Sequence, residues 1–226
     1  MHDAECKTPA IEHPDAAGTP DALKQQLIEI GRYFHTRGWS VGTSSNYSCL
    51  LSRDPMRLLI TSSGKDKGRL GLDDFVMTDE QGKACEPVTG KPSAETLLHI
   101  EAVRQSGVGC VLHTHSVWGT ILSEYFGSQG GIEIEGFEML KGLEGIRTHE
   151  TRVWVEIFEN TQDMAALAEQ FRARLEDPDN PLRFGMLLRR HGLYTWGKTI
   201  DEARRHIEIF EFLFEVLGRE LQINPR

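Results

Sequence analysis

Apolar positions recur along this chain with two different periods, and their alternation outlines a mixed α/β arrangement. Leu23, Leu27, Ile30 and Phe34 stand at helical spacing behind Thr19-Pro20, a hydroxyl N-cap followed by proline at the first helical position. Gly38 ends that helix. Short apolar runs at 47–51 and 58–61, separated by Ser52-Arg53-Asp54-Pro55, predict two strands joined by a turn. A third strand is expected at 75–78, closed by Asp79-Glu80-Gln81-Gly82. Pro92-Ser93 is expected to open a second helix with Leu97, Leu98, Ile100, Ala102 and Val103 as its apolar surface. Residues 110–113 then read as a buried strand, and Ser116 as the start of a helix containing Ile121 and Leu122. A strand at 153–158, a helix at 161–175 and two paired strands at 186–188 and 193–196 follow. Thr199-Ile200-Asp201-Glu202 has the capping-box pattern and opens a last helix carrying Ile207, Phe210, Leu213, Phe214 and Leu217. There is no internal repeat. The pattern predicts an α/β fold, a central mostly antiparallel β-sheet flanked by helices. Residues 1–18 lack periodicity and read as a flexible N-terminal extension, which leaves 19–226 as a single domain.

Composition narrows the partners. The chain has 226 residues, 39% hydrophobic and 26% charged, enough for a real core. A formal net charge of -9 without a basic run argues against nucleic acid and anionic membranes as partners. No stretch approaches the ~20 apolar residues of a membrane span. The first residues show no basic flank followed by an apolar run, so no secretory signal is expected. Cys6, Cys49, Cys85 and Cys110 are scattered without CxxC pairing, which predicts buried thiols and a cytoplasmic location.

The sharpest chemical signal is Leu112-His113-Thr114-His115-Ser116. Strand side chains two apart share a face, so both imidazoles can reach one metal ion. Two unrelated histidines would give the same pattern, and a third improves the odds: His191, in Arg189-Arg190-His191-Gly192, also stands at a strand end. Gly192 is expected to let the chain turn sharply there. The remaining histidines, His99 and His206 among them, read as structural.

Three loops could hold an anion through backbone N–H groups and hydroxyls. They are Gly42-Thr43-Ser44-Ser45-Asn46, Thr61-Ser62-Ser63-Gly64-Lys65, with Lys65 adding charge, and Lys91-Pro92-Ser93-Ala94. Each alone could equally be a turn. For acid–base work the candidates are Glu95, which could instead serve only as a helix N-terminal charge, and Glu138. Glu138 is flanked by bulky apolar residues, so a partly desolvated carboxyl of raised proton affinity is expected, with a solvated helix face as the alternative.

Taken in order, Ser44-Ser45-Asn46, Thr61-Ser62-Ser63-Gly64, Lys91-Pro92-Ser93-Ala94-Glu95, His113-Thr114-His115 and His191-Gly192 resemble the class II aldolase/adducin family from Thr19 to the last helix. The segments Gly136-Phe137-Glu138-Met139-Leu140-Lys141-Gly142 and 189–197, ending in Trp196-Gly197, are similar to a dehydratase branch of that family. The resemblance implies the three-layer class II aldolase-like fold, a homotetramer with active sites near subunit interfaces, and one Zn2+ per subunit on His113, His115 and His191. It implies phosphate contacts from Asn46, Ser63, Gly64 and Ser93. It implies acid–base work by Glu138, the position used in the dehydratases, ahead of Glu95, the position used in the aldolases. The implied reaction is loss of water from 5-methylthioribulose 1-phosphate in methionine salvage. A sugar-phosphate aldolase or epimerase with the same metal site is the alternative, and a non-catalytic adducin-like scaffold the third.

Overall fold

In a computed structural model of the chain, residues 18–179 and 182–224 are described. The expected extension therefore lies, up to residue 17, outside the described residues. The first helix, α1, spans Pro20–Thr36, and the Thr19 side chain accepts a hydrogen bond from the Ala22 N–H, as its cap chemistry predicts. Strands β1 (Asn46–Arg53), β2 (Met56–Thr61) and β3 (Phe75–Thr78) form an antiparallel meander. Helix α2 covers Thr96–Arg104, strand β4 Cys110–Thr114, and helix α3 Val117–Tyr125 with the Ser116 hydroxyl capping it. Strand β5 (Gly131–Ile134), strand β6 (Val153–Phe158), helix α4 (Met164–Leu175), strands β7 (Gly185–Leu188) and β8 (Gly192–Gly197) and helix α5 (Ile200–Ile223) complete the order.

The strands make one sheet in the order β3-β2-β1-β4-β8-β7-β6-β5. Only β6 and β7 run parallel, so the sheet is mostly antiparallel, as expected. Two cores cover it. Leu27, Phe34, Leu122, Phe210 and Phe214 of α1, α3 and α5 pack on one face. Leu98, Val103, Leu167 and Phe171 of α2 and α4 pack on the other. The strand residues alternate between the cores as the pleat demands: Cys110 and Leu112 face α5, and Val111 faces α2.

Three expectations are corrected. Helix α2 begins at Thr96, not at Pro92-Ser93. The Ser93 hydroxyl accepts from the Glu95 N–H and its carbonyl accepts from the Thr96 N–H, so residues 93–95 form a turn that enters the helix. Helix α4 starts at Met164 behind the Asp163 cap, three residues after the expected start at Thr161. Strand β5 was not expected at all. Cys49 and Cys110 are buried free thiols, whereas Cys85 is disulfide-bonded, so cysteine usage does not by itself argue for a reducing compartment. Among the described residues no helix is long and apolar enough to cross a membrane.

Candidate metal centre and anion pocket

The site is built where β1 begins, β4 ends and β8 begins, because these neighbours run antiparallel. Asn46, His113 and Tyr194 are register partners and form one row across the three strands. Pleating puts that row on the α2 face, and α2 brings Glu95 and His99 to it. Thr114, one residue on, faces the other way and donates to Glu211 of α5 at 3.0 Å.

His115 lies just past the strand, held by its N–H on the Trp39 carbonyl at 2.7 Å. His191 arrives from the turn between β7 and β8. That turn differs from expectation: Arg190, at φ 54°, takes the left-handed conformation. Gly192 is needed for close approach instead, since a Cβ there would stand 2.0 Å from the Thr114 carbonyl oxygen.

The three imidazoles converge. His115 Nε2 is 2.8 Å from His113 Nε2 and 3.1 Å from His191 Nε2, and the ligand atoms of all three lie within 4.8 Å of one another. His113 Nδ1 donates to the Leu193 carbonyl at 2.9 Å, which leaves its Nε2 as a lone pair facing the cluster. His191 Nδ1 is likewise turned to Asn160 Oδ1 at 3.3 Å. His115 Nε2 can donate a proton to at most one of these two neighbours, so at least one of the two close contacts is not a hydrogen bond. Burial, followed by the neighbouring imidazoles, pushes the His113 pKa well down. Burial, His191 and Lys67 hold His115 at about 4, and burial also lowers His191 against the opposing pull of Glu95. Neutral, convergent, oriented imidazoles are the donor set of a metal centre, and the residues present can hold a divalent ion.

Glu95 completes the cluster. Its carboxylate oxygens lie 3.6 Å from His113 Nε2 and 3.2 Å from His191 Nε2. Asn46 Nδ2 donates to Glu95 at 2.6 Å and to Ser93 Oγ at 3.1 Å. His99 Nε2 donates in turn to Asn46 Oδ1, while Ser48 Oγ and His99 Nδ1 are 2.7 Å apart. Burial holds His99 near 3, so it is a neutral link in this chain. Tyr194 stacks on His113 with ring centroids 3.8 Å apart, and burial with the nearby Glu95 charge pushes its phenol well up.

All three hydroxyl-bearing loops line one cavity of about 230 Å³ beside His115, with Asn46, Ser63, Gly64 and Ser93 in its wall. Gly64, at φ 74°, takes a conformation that favours glycine. The Ser62 hydroxyl, buried and without a partner, also borders the cavity. The Ser63 N–H is taken by the Lys91 carbonyl, so its hydroxyl is the group left for a ligand. The expected cation is different. Lys65 pairs with Asp74 at 2.8 Å, and Lys67, 1% exposed, lies beneath the loops with its ammonium donating to the Thr43 and Lys65 carbonyls. Burial lowers Lys67 to about 8 against Asp66, Asp74 and Glu95, which leaves it mostly charged at neutral pH.

Glu138 is not in this cluster. It opens a short 3-10 turn at Glu138–Gly142, is 70% exposed, and pairs with Lys141 and, at 3.5 Å, with His149. Lys141 holds its carboxyl below the usual range, opposite to the expected desolvated, raised one. Leu140 of this turn is fully buried and Phe137 packs against the core, so these two anchor the backbone while Glu138 and Met139 face outward. Lys67, Tyr194 and the positioning of Asn46 by His99 were missed from sequence. A second lysine two residues after Lys65 was the only local signal.

Residues 25–217 match the Class II Aldolase and Adducin N-terminal domain family. The chain is 50% identical over 198 residues to a methylthioribulose-1-phosphate dehydratase of Pseudomonas fluorescens (strain Pf0-1), covering 87% of this chain and 92% of that one. It is 48% identical over 194 residues to the enzyme of the same name from Azotobacter vinelandii, covering 85% and 91%. Its fold is similar to an L-fuculose-1-phosphate aldolase from Thermus thermophilus, with a TM-score of 0.70, 20% identity and coverage of 91% and 100%. A sugar-phosphate aldolase from Thermotoga maritima is similar at a TM-score of 0.66 and 18% identity, covering 91% and 98%. The chain belongs to the class II aldolase/adducin family.

Proposed function

We propose that this protein is a methylthioribulose-1-phosphate dehydratase, a carbon–oxygen lyase of methionine salvage that uses one zinc ion per subunit and works as a homotetramer. The observation that carries the reading is the near-full-length 50% identity to the Pseudomonas fluorescens dehydratase, on a chain whose three imidazoles meet beside an anion cavity. His113, His115 and His191 would hold the metal, and three neutral imidazoles are a donor set that suits zinc. When bound, the ion supplies Lewis acidity that makes the proton alpha to the ketose carbonyl easier to remove.

The chain's own residues supply the rest. The hydroxyls of Ser62, Ser63 and Ser93, with Lys67 beneath them, take the 1-phosphate and so fix the carbon chain beside Glu95. Glu95 is the carboxylate placed to take the C3 proton, with Asn46 holding one of its oxygens. The proton so gained passes to the C4 hydroxyl, which departs as water and leaves an enol that tautomerises to 2,3-diketo-5-methylthiopentyl 1-phosphate. Glu138, exposed on this chain and away from its histidines, would act in the site of a neighbouring subunit.

The test is an assay of purified protein on 5-methylthioribulose 1-phosphate. The diketone is the expected product. Dihydroxyacetone phosphate without diketone would identify an aldolase instead.

A further inference from the structure

A second cavity, of about 410 Å³, opens on the other side of the histidines. It shares Ala94, Glu95 and His115 with the anion cavity, but its other walls come from the loop after β6, the start of α4, α3 and the turn between β7 and β8. In the sheet order those elements stand on the opposite side of β4 from the loops that line the anion cavity. A ketose phosphate anchored in the first cavity, with its reacting carbons at Glu95, therefore directs its far end into the second.

The second wall mixes polar and apolar groups, with Asn160, Thr161, Gln162 and Arg190 standing beside Ala94, Thr120 and Met164. The Thr120 hydroxyl proton lies between the Ser116 and His191 carbonyls, at 2.7 and 3.1 Å from the oxygen, and its methyl adds an apolar group. Asn160 Oδ1 faces His191 Nδ1, and the Arg190 guanidinium is bound to Glu124 at 2.7 Å. Its apolar groups are the Ala94 methyl, the Thr120 methyl and Met164, which is half-buried and packed against the core formed with α2 and α4. A thioether seated against the core is a soft, polarisable contact for another thioether and offers a hydroxyl or phosphate no hydrogen bond.

We propose that Met164, with the Ala94 and Thr120 methyls, forms the subsite that receives the 5-methylthio group and so sets specificity for it. The inference rests on the dehydratase reading. The test compares kcat/KM for 5-methylthioribulose 1-phosphate with that for ribulose 1-phosphate, in wild type, Met164→Gln and Thr120→Ser, each checked for metal content and melting temperature. Met164→Gln nearly conserves volume and is expected to lower the preference for the methylthio substrate about tenfold, with kcat/KM for ribulose 1-phosphate within about twofold of wild type. Thr120→Ser keeps the hydroxyl and removes one methyl, and is expected to lower the preference about threefold. Unchanged preference in both variants, or equal losses on both substrates, overturns the subsite while leaving the activity in place. Wild type inactive on the methylthio substrate overturns the dehydratase reading itself.

Discussion

Single residues in this site act through the atoms they leave free. His113 can present Nε2 only because Leu193 takes its Nδ1 proton, and Asn46 can donate to Glu95 only because His99 holds its Oδ1. His99 is fully buried on a helix that reads as amphipathic, which is why the sequence pattern makes it structural. Replacing it by leucine strips Asn46 of its reference and lets the amide turn. The expected result is a loss in kcat of about 10–100-fold with little change in KM, the scale seen when outer partners of a site are removed. Activity within twofold of wild type, at unchanged melting temperature, would remove His99 from the site. The histidines make a separate prediction. Wild-type protein purified without chelator should carry about one metal ion per chain, and His115→Ala should carry close to none by elemental analysis. Because His115 is held at about 4 and its two partners are also lowered, metal retention in the wild type should persist on acidification through pH 6, where ordinary histidines become charged. Lys67 was illegible for the opposite reason: a fully buried lysine contradicts the usual reading of lysine as surface, and only the convergence of two loops above it makes it intelligible.

At the scale of elements, caps and periods carried most of the fold. Thr19, Ser116 and Thr199 sit where their side chains predict, and each accepts a hydrogen bond from a first-turn N–H. Strand β5 escaped because it has four residues with one exposed acid, Glu133, and gains its pairing only from β6. Its stability comes from the partner, not from local propensity. The packing of α5 under β4 has a measurable consequence. Glu211 of α5 is 3% exposed, and burial raises its carboxyl to about 7 although Ser116 and Thr114 pull it down. The folded value exceeds the unfolded one, so the contribution is fully present below about pH 4.5 and is lost as pH rises through about 7. Glu211→Gln keeps an acceptor for Thr114 without the charge. It should raise stability at pH 8 by an amount on the order of 2–3 kcal/mol relative to wild type and flatten the pH dependence between 5 and 8, as read by denaturant unfolding at each pH. A parallel shift at all pH values would assign the effect to packing alone.

For the whole molecule, assembly decides how two glutamates divide the work. Glu95 is on the histidines of its own chain, whereas Glu138 stands 70% exposed on a turn anchored by buried Leu140. Among the described residues of one chain Glu138 has Lys141 and His149 as company, and nothing in its own sequence neighbourhood could show what an assembled neighbour adds. If the tetramer places Glu138 of one copy at the histidines of the next, a site is complete only when its own chain supplies Glu95 and its neighbour supplies Glu138. That arithmetic is testable by mixing. Glu95→Gln and Glu138→Gln homotetramers are each expected to lose at least about 100-fold in kcat, the lower range for removal of a general acid–base group. Dissociating and reassembling the two variants together then creates sites in which one chain keeps Glu95 and its neighbour keeps Glu138. With random assembly about one site in four is of that kind, so the mixture should recover roughly a quarter of wild-type kcat, while each variant reassembled alone stays inactive. Recovery of that size assigns Glu138 to the neighbour's site. No recovery, with mixed tetramers verified by native mass spectrometry, would mean that both glutamates of a site come from the same chain. A Glu138→Gln homotetramer at full activity would leave Glu95 as the sole acid–base group.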